Sequence, residues 1–453
     1  MRKILHFAIS TLIVVQLISC KTKSAAPKNV IVLIADGLGY NQVDAASLYQ
    51  YGQTGMQIYE KFPVVYAMSH YPIDGHGYDP KLAWSDFDYI RKKTTDSAAS
   101  ATAMATGVKT KNGLIGVNAD GEMLENIVQR VDKFGKASGI VSSVIFSHAT
   151  PAAFSVHNKS RRNYEEIAES MIVSSNLDVI MGCGHPAYDN DGQAVTEMDY
   201  RFVGGEDLWK SLSEGTLGND SDGDGVEDPW ILIQDQTEFQ KLMSGPTPGR
   251  VIGVPKVAST LQQSRGGDDK ADAFSVPFTK NVPTLEEMTI AALNVLDEDP
   301  DGFFLMVEGG AVDWAGHANQ SGRVIEEEID LNRSIEAVVS WIEKESSWDE
   351  TLVIITGDHE TGYLTGPGSN PDNPNQNLSV DEIWKPLVNN GKGNQPGMEW
   401  HTEGHTNQLI PFYAKGMGSE RFHERVKGKD PVRGKYIDNA DIGQVLLSFF
   451  PVN

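Results

Sequence analysis

The sequence predicts the α/β class: a three-layer sandwich whose large, mostly parallel central sheet is flanked by helices and interrupted by loop insertions. Three observations predict it. Short apolar runs recur along the 453 residues and end abruptly in polar, reactive side chains. Stretches with helical periodicity and legible caps separate these runs. The run ends carry carboxylates and imidazoles, which is where an open parallel sheet gathers its ligands.

Taken in chain order, residues 1–19 read as a leader. Arg2 and Lys3 form a charged start, residues 4–18 are apolar, and Leu17-Ile18-Ser19-Cys20 closes the segment like a bacterial lipobox. Cys20 is then the lipidated first residue of the mature protein, residues 20–28 are a polar tether, and the anchor is the only membrane contact. That places a secreted lipoprotein in the periplasm or at the outer membrane. Cys183 is the one other cysteine, so packing and bound metals hold the fold without an intrachain disulfide.

Residues 29–453 form one domain on this reading. The runs 29–35, 140–146, 303–307 and 352–356 are buried strands, leading into Asp36-Gly37, His148-Ala149-Thr150, Glu308 and Asp358-His359. Thr284 and Glu287 make a capping box before a helix reaching about Leu296, and a second helix covers 324–345. The polar stretches 187–230 and 363–400 break this rhythm and are insertions, the second beside the active face because Asp358-His359 and His405 flank it.

Composition excludes several roles. The chain is 22% charged and 40% hydrophobic, which suits a globular protein and neither a disordered nor a membrane-spanning one. The 62 acidic residues outnumber 38 basic ones to give −24, and loss of Arg2 and Lys3 with the leader makes the mature chain −26. Such a field repels polyanions, which excludes nucleic-acid binding, and it is compatible with bound cations.

The chemistry is concentrated in five places. Asp96-Ser97 followed by Ala98-Ala99-Ser100-Ala101 starts a helix ending near Gly107, with Ser97 at its positive end. Alone, that string equally describes a plain N-capped helix. Asp313 and His317 stand four apart, on one face of a helix, where a carboxylate and an imidazole can hold one ion. Glu308 ends an apolar run, where an unpaired charge is costly to bury. Asp36, Asp358, His359 and His405 complete a mixture of oxygen and nitrogen ligands that suits zinc and magnesium. Arg161, eleven residues after Thr150, is suited to gripping phosphate oxygens, although surface ion pairing is the commoner use of an arginine.

With these strings in place, the chain resembles the metal-dependent alkaline phosphatases that use a serine nucleophile. The matching motifs are Ile34-Ala35-Asp36-Gly37, Thr95 to Ala103 around Ser97, His148 to Phe154 with Arg161, Val307 to His317, and Asp358-His359 with His405-Thr406. The resemblance implies hydrolysis of small phosphate monoesters through a phosphoserine on Ser97, with Arg161 binding substrate. It implies a first zinc at Asp313, His317 and His405, and a second at Asp36, Asp358 and His359. A third ion, magnesium in most members, falls to Asp36, His148, Thr150 and Glu308, so that Asp36 bridges two metals. Homodimers are common in the family. His401 and His405 both begin a His-Thr pair, and the spacing to the following strand favours His405. His148 stands where some members carry Asp, and Trp314 where others carry Lys or His.

Residues 220–228 are a separate signal, resembling the front half of an EF-hand calcium loop. Asp220, Asp222, Asp224 and Asp228 offer oxygens around Gly223 and Gly225, but Ile231 holds the twelfth position where a bidentate Glu is expected. Rival functions fit less of the chain. No Cys-x-Pro-x-Arg or Ser-x-Pro-x-Arg string surrounds the serine, against a sulfatase. A phosphodiesterase of the same superfamily would carry a lone Thr nucleophile. A non-catalytic calcium-binding surface lipoprotein would leave Ser97 and the ligand set without a role.

Overall fold

The computed structural model describes residues 26–219, 225, 227–371 and 379–452. The leader, Cys20, and Asp220, Asp222 and Asp224 of the candidate calcium loop lie outside the described residues. Asp228, the loop's last acid, opens the strand Asp228–Ile233.

Among the described residues twelve strands form one sheet. From one edge they run Gly428–Asp430, Gly434–Asp438, Val64–Ser69, Ile410–Gly416, Thr351–Gly357, Asn29–Ala35, Phe303–Gly309, Ala137–Ile145, Val179–Cys183, Arg250–Gly253, Asp228–Ile233 and Gly218–Asn219. The seven from Thr351–Gly357 to Asp228–Ile233 are mutually parallel, and antiparallel pairing enters only toward the edges. The expected mostly parallel sheet is therefore observed.

Alternation of side chains builds the three layers. In the central strand, Val30, Val32 and Ile34 point to one face and Ile31, Leu33 and Ala35 to the other, and every one is buried. The first face is covered by the helices Ser97–Thr106, Ala149–Ser155 and Ala440–Phe449, through Met104, Phe154 and Leu446 among others. The second is covered by Leu285–Leu296 and Ser321–Glu345, through Leu293, Leu331 and Val338. The capping box at Thr284 and Glu287 is present and the helix ends at Leu296. No helix among the described residues is long and apolar enough to cross a membrane.

The two polar stretches carry structure of their own. Residues 187–230 contain the helix Glu206–Ser213 and lead into the sheet through Asp228–Ile233, whose Trp230 is buried under the Arg250 guanidinium, 3.9 Å above the ring. Within 363–400, Leu364–Thr365 pairs with Glu399–Trp400 to close a two-stranded ribbon.

Why the serine helix is alanine-rich follows from its surroundings. All ten residues Ser97–Thr106 are buried, so small side chains let it lie close to its neighbours. It ends at Gly107, in the left-handed conformation with φ 75°. There the helix Ala440–Phe449 crosses so tightly that a Cβ on Gly443 would sit 2.1 Å from the Gly107 nitrogen. Gly443→Ala must push the two helices apart, and we expect it to destabilise the protein by about 1–3 kcal/mol in chemical denaturation, the usual cost of overpacking.

Candidate active site

Three neighbouring parallel strands end in register. Ala35 is level with Gly309 on one side and Gly357 on the other. The next residue after Ala35 is Asp36, the residue before Gly309 is Glu308, and the residue after Gly357 is Asp358. Sheet register alone thus delivers three carboxylates to one spot, and all three are fully buried. Gly37 then turns with φ 81°, and a Cβ there would lie 2.7 Å from the Asp313 Cα. This close approach seats the helix Ala311–His317 over the sheet edge, carrying Asp313 and His317 on one face as their spacing requires.

The groups fall into overlapping sets. Asp36, Asp358 and His359 offer atoms within 4.8 Å of one another, and so do Asp36, His148 and Glu308, and Asp313, His359 and His405. Asp36 belongs to two of them. His317 joins Asp313 and His405: its Nε2 is 3.3 Å from Asp313 Oδ2 and 3.1 Å from His405 Nε2. His359 lies nearer to Asp313 and His405 than the sequence grouping implied, its ring stacked 3.6 Å from that of His405. His401 is elsewhere, 2.7 Å from Thr365 Oγ1 and edge-on to Phe87 and Tyr363.

Each imidazole is aimed by its other nitrogen. His405 Nδ1 lies 2.8 Å from the Thr95 carbonyl and His317 Nδ1 against the Glu403 carbonyl, so both present Nε2 to Asp313. His148 Nε2 faces Arg161 at 3.1 Å, and its Nδ1 makes no hydrogen bond. That Nδ1, Asp36 Oδ2 and Asp358 Oδ2 are buried with no hydrogen-bond partner. Buried polar atoms seldom go unpaired, and these are the donor types that bind zinc and magnesium, so the residues fit a divalent-metal cluster.

Electrostatics agree. Burial, then repulsion from Asp358, Asp313 and Glu308, pushes Asp36 well above the usual carboxylate range. Burial likewise pushes Glu308 up to about 7, against the hydrogen bond from the Ser142 hydroxyl, and Asp358 up to about 6, with Asp313 adding to it. Burial holds His359 well below its ordinary value and His148 down to about 3, so both are neutral, the ligating form.

Ser97 opens its helix beside these groups. Its Oγ is 3.3 Å from His359 Nε2 and 3.5 Å from Asp36 Oδ1. Asp96 caps the helix by accepting from Ala99 N at 2.9 Å, and its other oxygen accepts from Arg161 Nη1 at 3.1 Å. The N-cap thereby also aims the arginine. Ser97, Arg161, His148, Asp313, His317, His405 and Trp314 line one open cleft of about 400 Å³.

Comparison with known proteins now bears directly on this arrangement. The model of the alkaline phosphatase family matches residues 27–385. The chain belongs to the alkaline phosphatase family. Alkaline phosphatase 3 of Bacillus subtilis is 31% identical over 348 residues, covering 74% of this chain and 61% of its own, so the chain spans less than two thirds of that relative. The alkaline phosphatase of Escherichia coli is 29% identical over 416 residues, covering 86% of this chain and 81% of its own. The solved alkaline phosphatase of the Antarctic bacterium TAB5 superposes with a TM-score of 0.64 at 25% identity, covering 94% of this chain and 98% of that one. The family is metal-dependent, in keeping with the donor sets described above.

One residue escaped the sequence reading. Thr361 Oγ1 donates to Asp313 Oδ1 at 2.5 Å and lies 3.3 Å from His359 Nδ1, while its backbone pairs with His405 in a two-residue ladder. A single hydroxyl thus orients ligands of different sets. Its signal was available only as a polar residue closing the string Asp358-His359-Glu360-Thr361.

Two outcomes follow from this geometry. Thr361→Val should weaken metal retention about tenfold or more in competition with a chelating dye, while Thr361→Ser holds it, the usual scale for an outer-shell partner. Stripping metal should also change how stability responds to pH. Carboxyls whose folded pKa is raised stabilise the fold below their ordinary value near ~4 and lose that contribution as pH rises through the folded value. With Glu308 at about 7 and Asp358 at about 6, the stripped protein should melt lower at about pH 8 than at about pH 5. The metal-loaded protein should lack that loss, and equal slopes for the two forms would overturn the reading.

Proposed function

We propose that this member of the alkaline phosphatase family hydrolyses phosphate monoesters to alcohol and inorganic phosphate through a phosphoserine on Ser97. The observation that carries the reading is the seat of Ser97: first residue of a helix, within 3.5 Å of Asp36 and His359, in one cleft with Arg161.

Each group has a physical task. Arg161, held by Asp96, binds non-bridging phosphoryl oxygens with its fork of N–H donors. The Ser97 hydroxyl gives its proton to water, and the oxygen, stabilised as an anion by the helix terminus, attacks phosphorus. The Oγ–P bond forms, the ester P–O bond breaks, and the leaving alcohol takes a proton from water. Water then attacks the phosphoserine, releasing inorganic phosphate and restoring the serine. In this reading Asp313, His317 and His405 hold one zinc, Asp36, Asp358 and His359 a second, and Asp36, His148, Thr150 and Glu308 a magnesium. Such metals lower the pKa of bound hydroxyls and neutralise developing charge.

The leader and Cys20 support a secreted lipoprotein of the periplasm or outer membrane, and family habit supports a homodimer. The catalytic reading is tested by trapping the phosphoenzyme from a labelled aryl phosphate. Ser97→Ala should abolish the acid-stable label and lower turnover at least about a thousandfold, as loss of a nucleophile does. Chelation should silence the wild type. Label on the Ser97→Ala protein, or activity indifferent to chelator, would overturn the assignment.

A further inference from the structure

Far along the chain from the serine motif, a cavity of about 370 Å³ opens between the helix Ser321–Glu345 and the irregular segment that precedes the helix Leu285–Leu296. Its floor is acidic. Glu327, only 4% exposed, and Asp330, one helical turn on, both line it. Glu327 Oε1 and Asp330 Oδ1 are buried and have no hydrogen-bond partner, whereas Asp330 Oδ2 is used by the Leu285 N–H at 3.0 Å. A carboxylate oxygen buried in this way is costly unless something cationic or hydrogen-donating meets it.

The neighbouring Glu326 shows what satisfaction looks like. It takes the Phe274 N–H at 2.6 Å and the Arg265 guanidinium at 2.9 Å. Glu327 Oε1 has no such direct partner, and burial with Asp330 and Glu326 beside it pushes its carboxyl well above the usual range, outweighing the opposing pull of Arg265 and the Gln263 N–H.

The walls are apolar and strained. Phe274 and Phe278 line the cavity and are 38% and 40% exposed, with ring centroids 5.8 Å apart. Arg265 already sits 4.6 Å over Phe278, so this ring accepts a cation. Two lining residues, Phe274 at φ 63° and Asn281 at φ 64°, hold the left-handed conformation that L side chains avoid and that clusters at ligand clamps. Lys280 and Arg333 also line the cavity; both are exposed, and burial raises the Asp330 carboxyl to about 6 against the smaller downward pull of Arg333.

We propose that this cavity binds an organic ammonium ligand, its charged head between Glu327 and Asp330 and its apolar body against Phe274 and Phe278. A metal ion suits it less. Among the described residues, every set of three donors close enough to hold one lies at the sheet edge. A small apolar pocket with a few fixed polar groups is the usual form of an organic-ligand site.

Titration calorimetry on the metal-loaded protein, with saturating inorganic phosphate to occupy the catalytic cleft, tests the proposal. The probes are phenethylammonium, the uncharged 2-phenylethanol, and calcium. The amine should bind saturably in the presence of phosphate and the alcohol should not. Glu327→Gln and Asp330→Asn should each weaken the amine about tenfold or more, the scale expected for losing a buried charge partner. Phe278→Ala should weaken it too, with aryl phosphate turnover unchanged. If Glu327→Gln fails to fold, the other two variants decide. No saturable amine binding up to about 10 mM, equal binding of the alcohol, unchanged affinity in the variants, or calcium taking the site instead would overturn the proposal.

Discussion

Everything at the catalytic edge depends on one electrostatic constraint, the enclosure of Asp36, Glu308, Asp358 and Asp313 in a single buried volume. None is more than 5% exposed. Two like charges about 4 Å apart repel by about 4 kcal/mol at an effective dielectric near 20, and several such pairs meet here. Arg161 is the cation that lowers this cost at Asp36 and Glu308, and it comes late among the influences on both. A fold can keep such a cluster only by protonating it or by filling it with multivalent cations. The orphaned oxygens of Asp36 and Asp358 and the free Nδ1 of His148 point to the second solution. Structure and catalysis then share one requirement, because the charge that lets the sheet edge close is also the charge that would receive a phosphoryl group.

The sheet explains why the cluster has its shape. Parallel neighbours lie about 4.8 Å apart, so residues at the ends of three registered strands arrive at the spacing over which carboxylates can share metals. Positions are then locked from behind. Gly37 leaves no room between the turn and the Asp313 backbone, the alanine-rich serine helix is buried along its whole length, and carbonyls or hydroxyls fix His317, His359 and His405. Such outer contacts pre-set the site before any substrate arrives.

Much of this was legible in the sequence because each strand announces its own end. The runs before Asp36, Glu308 and Asp358 are continuous and apolar, as both faces of a parallel strand are buried, and each stops where the ligand begins. Asp96 and Gly107 bounded the serine helix for local reasons, a side-chain cap and a left-handed terminus. What could not be read is what depends on distant partners. The strand order, with Asn29–Ala35 between Phe303–Gly309 and Thr351–Gly357, follows from packing. His405 and His401 both begin a His-Thr pair, and the spacing that favours His405 acquires its physical reason only in the ladder with Thr361. Thr361 itself is an ordinary threonine until its hydroxyl meets Asp313. The acidic cavity under residues 274–284 was invisible for the same reason, since Glu327 and Asp330 read as one more polar turn of a long helix.

Net charge adds a last constraint on how the site can work. A chain at −24 repels anionic phosphate esters, so long-range steering cannot bring them in. At physiological salt that repulsion fades beyond about 8 Å, and capture must come from charges inside the cleft. There Arg161 lines the cleft, its position fixed by the Asp96 carboxylate and the neutral His148. The cleft is lined almost wholly by groups that would address a phosphoryl unit, with Trp314 the one large apolar side chain among them. On the proposed function, selectivity among monoesters would then draw on the intrinsic reactivity of the leaving group and on contacts with Trp314.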